Sequence, residues 1–201
     1  MTAHGIRFVA VASALLLAAC SQNPSSSATP AAGAAAGAAT ADASAQDSRF
    51  EVTATIRELM DSTVDPAADG LWDAVAVTST KKGVDEKQPR TDEEWAAVRR
   101  HAVTLMESMN LVVMNGRHAA PPGTKAGEGE LTPDEIDQHI AANRDALVGF
   151  AKALRASAQK SLTAIDKKDV QGLFESGGEI DEACEVCHVT FWYPNQKVPT
   201  G

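Results

Sequence analysis

At 201 residues the chain has room for one ordinary domain plus extensions. With 18 Lys and Arg against 27 Asp and Glu, its formal charge of −9 argues against nucleic acid as a partner and points to basic or neutral ones. Aromatic residues are only 4% and Ala, Leu, Val and Glu predominate, which favours helix; three cysteines are too few for a disulfide framework.

The N-terminus explains the first cysteine. A short segment carrying Arg7 precedes an apolar run from Phe8 to Ala19, too short to span a bilayer as a mature helix, so residues 1–19 read as an export signal. Its ending, Leu17-Ala18-Ala19-Cys20, resembles the lipobox of bacterial lipoproteins. That resemblance implies cleavage before Cys20 and acylation of its thiol, with Ser21 favouring the outer membrane; an ordinary secretory signal is the alternative. Residues 21–47 are mostly Ser, Ala, Gly, Pro and Thr, with no large apolar side chain. Such a segment cannot bury enough surface to offset its chain entropy, so residues 20–47 form a lipidated tether of roughly 30 Å mean reach.

From residue 48 to 201 the chain reads as one domain of four helical stretches. The first runs from Ser48 to about Val77, with Phe50, Val52, Ile56, Leu59, Met60 and Val64 at helical spacing and a kink or restart at Asp65-Pro66. The second opens on a capping box, Thr91 with Glu94. Its buried stripe is Trp95, Val98, Ala102, Leu105, Met109 and Val112. The third starts at Thr132-Pro133 with Glu135 and runs to about residue 165. The fourth starts near Asp169 and carries Cys184, Cys187 and His188. No stretch alternates as a strand, and 78–90 and 115–131 read as loops. The expected fold is an all-α, antiparallel up-down four-helix bundle.

Cys184, Cys187 and His188 form C-x-x-C-H. On a helix, positions i, i+3 and i+4 share one face, so both thiols and the imidazole project together. Haem attachment, half a zinc site, a redox dithiol and chance are the four readings. Zinc requires four ligands, and there is no second C-x-x-C or His pair to complete the set. A thioredoxin-like dithiol belongs in a strand–helix context that this chain lacks. The chain's own composition puts a chance occurrence at roughly one per thousand such sequences. Covalent haem c at Cys184 and Cys187 with His188 on the iron is therefore the expected cofactor, and export fits it.

Only thirteen residues follow His188. A haem motif on the last helix of a four-helix bundle resembles the class II c-type cytochromes, the cytochrome c′ and cytochrome c-556 group. The similarity covers roughly residues 48 to 195 and rests on "CEVCHVTF" and, in the first helix, on "IRELMDS". Low-spin members place a Met in the first helix, which implies Met60 as the distal iron ligand opposite His188; a core Met is the plain alternative. Arg57, one turn earlier, matches the basic residue such proteins set beside a haem propionate, or else is a solvated surface Arg. The rival ligands are Met109, Met114 and His139. His139 is expected at the surface, His101 on a solvated Arg-Arg-His face and His118 in a loop. Gly177-Gly178 marks either a close backbone approach or a helix break. The chain departs from the family after the motif, where Trp192-Tyr193-Pro194 stands in place of the usual basic residue.

The function implied is monohaem electron transfer in the periplasm. Its partners would be redox proteins, a membrane reached through the N-terminal lipid and, optionally, a second copy of the chain. A five-coordinate binder of nitric oxide or another diatomic gas is the alternative, and a structural envelope lipoprotein without haem the remote one. No Ser–His–Asp arrangement or phosphate-cradling loop is evident, so no conventional enzyme is expected.

Overall fold

A computed structural model describes residues 50–196. The export signal, Cys20 and the tether lie outside the described residues. What is described is mainly α-helical with one small two-stranded sheet, and none of its helices is long and apolar enough to cross a membrane.

The first helical stretch begins later than its apolar spacing suggested. Residues 50–55 are not helical, and Phe50 is exposed. Helix α1, Ile56–Leu59, starts at a capping box in which Thr55 accepts from the Glu58 N–H while the Glu58 carboxylate accepts from the Thr55 N–H. That pair outweighs the periodicity of Phe50 and Val52, because it satisfies backbone donors that no earlier start would satisfy. Two further α1 donors are taken by the distant loop at 115–131: Ile56 N–H and Arg57 N–H reach the carbonyls of His118 and Ala119, each at 2.9 Å.

Asp65-Pro66 neither breaks the helix nor recaps it. Met60–Val64 widens into a π-helical turn, in which the Asp65 N–H donates to the Met60 carbonyl, five residues back. Helix α2, Asp65–Trp72, then continues with Pro66 in its first turn. A proline ring crowds the carbonyl four residues before it and offers no N–H, and the wider turn makes room for both deficits.

A hairpin follows where a loop was expected. Strands β1, Ala76–Thr80, and β2, Gly83–Lys87, pair antiparallel with Val77 opposite Glu86 and Thr80 opposite Gly83. The Thr80 hydroxyl holds the turn, accepting from the Lys82 N–H and donating to the Gly83 carbonyl. Gly83 has φ +130°, a conformation open to glycine. Almost every residue of both strands is exposed, so no apolar alternation announced them.

Helix α3, Asp92–Val112, matches expectation, with its Thr91/Glu94 capping box and all six stripe residues buried. The third stretch divides into α4, Pro133–Ala142, and α5, Arg144–Asp166. Asn143 separates them, its side-chain amide donating to the His139 carbonyl and so competing with the regular ladder. Helix α6, Val170–Phe191, is capped by Asp169, whose carboxylate accepts from the Gly172 N–H.

Helix α5 packs against α6 and α3, α3 against α2, and α2 against α6. Their shared core includes Leu71, Leu105, Ala158, Leu173 and Ile180. A second, smaller core of Ile56, Ile136, Ile140, Leu147 and Phe191 closes the end where α1, α4 and the end of α6 meet.

Candidate functional site

Helix α6 passes Gly177 and Gly178 without a break. The Trp72 indole N–H donates to the Gly177 carbonyl at 3.0 Å, and a Cβ on Gly177 would lie 3.2 Å from Trp72 Cδ1. Gly177 therefore serves close approach, letting α2 and α6 meet about two to three turns before the cysteines. Beyond that contact the two helices leave a cleft enclosing about 820 Å3, part of it open to solvent.

Cys184, Cys187 and His188 all line this cleft, as their shared helix face requires. Met60 lines it too, although it is more than a hundred residues away in sequence. Val64, Ala68, Met109, Leu147 and Leu154 supply apolar walls, with Trp72 and Phe150 as the aromatic ones. Both thiols are half-buried and unbridged. Burial, with the nearby Asp65 and Asp181 charges, pushes the Cys184 thiol up to about 11, and burial above all pushes Cys187 up to about 12. That is the reverse of the electropositive setting that activates a redox dithiol. Burial also raises the Asp65 carboxyl; His188 works against that shift, while Asp61 and Asp69 add to it. The His188 imidazole meets the Trp192 ring edge-on, with centroids 6.1 Å apart.

Comparison with known protein families, curated proteins and solved structures found no match. The chemistry of the site thus stands on its own side chains. Among the described residues no group of three or more His, Cys, Asp or Glu converges as it would around a bare metal ion. The donors of the cleft are two thiols, an imidazole and a thioether on apolar walls. That donor set is chemically suited to a group that takes thiols, an imidazole nitrogen and a thioether sulfur together.

The other candidates lie elsewhere, Met109 apart, which lines the cleft from α3. Arg57 is not among the lining residues; its guanidinium stands 3.9 Å from the Glu130 carboxylate. Met114 Sδ accepts from the Arg117 guanidinium at 3.4 Å. His118 is exposed and pairs with Asp137 at 2.7 Å. His101 is not fully solvated: its ring lies against α2 at Gly70, where a Cβ would come within 2.4 Å of it. His139 is half-buried rather than on the surface, edge-on to Phe191 at 5.5 Å, with its Nδ1 buried and unpartnered. Its polar neighbours Asp137 and Gln138 misled, because its burial comes from packing against Phe191 of α6. Asp65 and Phe150 were missed as wall residues. Phe150 carried a signal in its spacing from Leu147 and Leu154; Asp65 carried none.

Proposed function

We propose that this chain is a monohaem c-type cytochrome of the cytochrome c′/c-556 kind, an electron carrier in the bacterial periplasm. Cys184 and Cys187 would hold haem c through thioethers, and the His188 imidazole and the Met60 sulfur would bind its iron. The observation that carries this reading is that Met60 shares one cleft with Cys184, Cys187 and His188. Helical spacing places the last three together in any α-helix; nothing local brings Met60 to them.

Bound haem supplies a one-electron iron couple whose potential is raised by His/Met ligation. The chain's part is to hold geometry and exclude water. Val64, Ala68, Leu147 and Leu154 would give the bound group apolar walls, and the Trp72–Gly177 hydrogen bond ties α2 to α6 beside it. The pairwise packing of α2, α3, α5 and α6 supports an up-down four-helix bundle whose first helix is α1, the π turn and α2 together. Export and tethering would follow from the signal at 1–19 and acylation of Cys20.

The test is protein matured in a host that attaches haem covalently. A haem stain that survives denaturation is expected, and Cys184→Ala/Cys187→Ala should abolish it; an unstained wild type refutes the proposal. The optical spectrum should be low-spin, turning high-spin in Met60→Ala. A five-coordinate wild type would remove Met60 as ligand and make the chain a binder of nitric oxide or another diatomic gas.

A further inference from the structure

Beside the cleft runs a second concavity, an apolar groove between the end of α2 and the first half of α6. It is lined by Leu71, Trp72, Val75, Leu173, Phe174 and Gly178. Trp72 and Asp181 line both the groove and the cleft, so the two are continuous. Phe174 is left 52% exposed, an aromatic ring that the described fold does not bury.

The charge around this strip is mainly negative; from the hairpin, Lys87 flanks Val75 and Phe174 with Glu86 beside it. Asp65, Asp181 and Glu185 are the only acidic or basic side chains besides His188 and the cysteines in the cleft wall. Asp69 and Asp73 continue from Asp65 along α2 at four-residue spacing, and α6 adds Glu182. Among the described residues none of these six carboxylates takes part in an ion pair. Helix α6 contains no Lys or Arg at all, whereas α5 carries four against two acids. Neither α2 nor α6 carries a Lys or Arg, so the negative charge of these two helices is not offset along either of them.

We propose that this groove and its acidic rim form the docking face for a basic redox protein, one presenting Lys and Arg around an apolar contact patch. An apolar centre with a charged rim is how transient interfaces are built, and exposed aromatic side chains are their usual anchors. Opposite charge speeds encounter and orients the partner, while like charge rejects wrong ones. A second copy of the chain fits poorly, because a two-fold contact through this face would set one acidic rim on another. An anionic membrane surface is repelled for the same reason. Residues 21–47 contain neither Lys or Arg nor a large apolar side chain, so they do not complement the groove. That the partner exchanges electrons here rests on the electron-carrier reading; the docking face itself does not.

The experiment is an amide-shift titration of the 15N-labelled full chain with a lysine-rich c-type cytochrome, at low and at physiological salt. Saturable shifts are expected at Trp72, Asp73, Phe174, Gly178 and Asp181, with affinity falling at least about tenfold across the salt range. Asp69→Lys/Asp73→Lys should weaken binding at least about tenfold, and Phe174→Ser should weaken it equally at both salts. Glu93→Lys/Glu107→Lys, the same charge change placed on α3, should leave binding within about twofold. Shifts on another face, no saturation, or equal losses in the two charge-reversed pairs would overturn the docking face. The haem stain decides the electron-carrier reading separately: shifts at the groove in a haem-free protein would leave the docking face standing alone.

Discussion

Adding one methyl group at Gly177 or at its neighbour Gly178 should have opposite effects. In a helix interior, Gly→Ala gains about 1 kcal/mol from lost unfolded-state freedom. At Gly178 a Cβ meets nothing within 4 Å, so that gain should appear whole, raising Tm by about 3 °C for a domain of this size. At Gly177 the same Cβ would stand 3.2 Å from Trp72 Cδ1 and 3.6 Å from its Nε1. The indole has little room to retreat, because its N–H is bonded to the Gly177 carbonyl at 3.0 Å. Overpacking costs about 1–3 kcal/mol, and loosening the hydrogen bond about 1 more. Gly177→Ala should therefore be less stable than Gly178→Ala by about 2 kcal/mol or more. Gly149→Ala, in α5 with open space around it, should behave like Gly178→Ala. Urea unfolding followed by circular dichroism measures all three. Equal stabilisation by the Gly177 and Gly178 substitutions would refute the close-approach account of the Trp72 contact.

Phe191→Ala should destabilise by about 3–5 kcal/mol in the same assay, because Phe191 is fully buried and meets both His139 and Phe150 edge-on. The buried Ser161 hydroxyl donates to Ser176, which itself donates to the Leu173 carbonyl. Ser176→Ala strands the Ser161 hydroxyl and should cost about 1–3 kcal/mol, Ser161→Ala less, and the double substitution less than the two together. Glu58, Glu94 and Glu135 are held below the usual carboxylate range chiefly by hydrogen bonds from the residues at their helix starts. A lowered folded-state pKa gives stability that is present above the unfolded value of 4.5 and is lost as pH falls through the folded one. Urea midpoints should thus drop below about pH 4.5. Glu58→Gln/Glu94→Gln/Glu135→Gln should flatten that drop, and an unchanged acid limb would count against the capping boxes as its source.

Several elements were legible because their causes are local. The capping boxes at Thr91 and Thr132 and the Asp169 cap need only residues within three positions, and each starts the helix its sequence announces. The buried stripe of α3 follows from helical periodicity alone. The common face of Cys184, Cys187 and His188 is likewise a property of any α-helix. Even the late start of α1 was written in Thr55 and Glu58, though the spacing of Phe50 and Val52 competed with it.

What tertiary packing decided concerns residues far apart in the chain. Whether Pro66 breaks, kinks or widens its helix depends on what α2 must reach, and here it must bring Trp72 to Gly177, 105 residues away. Whether Met60 faces a plain core or the cysteines depends on how α1 and α2 lie beside α6, and the structure sets it in their cleft. The hairpin escaped notice because its strands bury almost nothing, and His139 because its burial comes from Phe191 on another helix. Hydrogen bonds at helix ends act over three or four residues and leave a mark in sequence. A cleft is made by side chains whose only common property is where the backbone carries them, and that is settled when the helices pack.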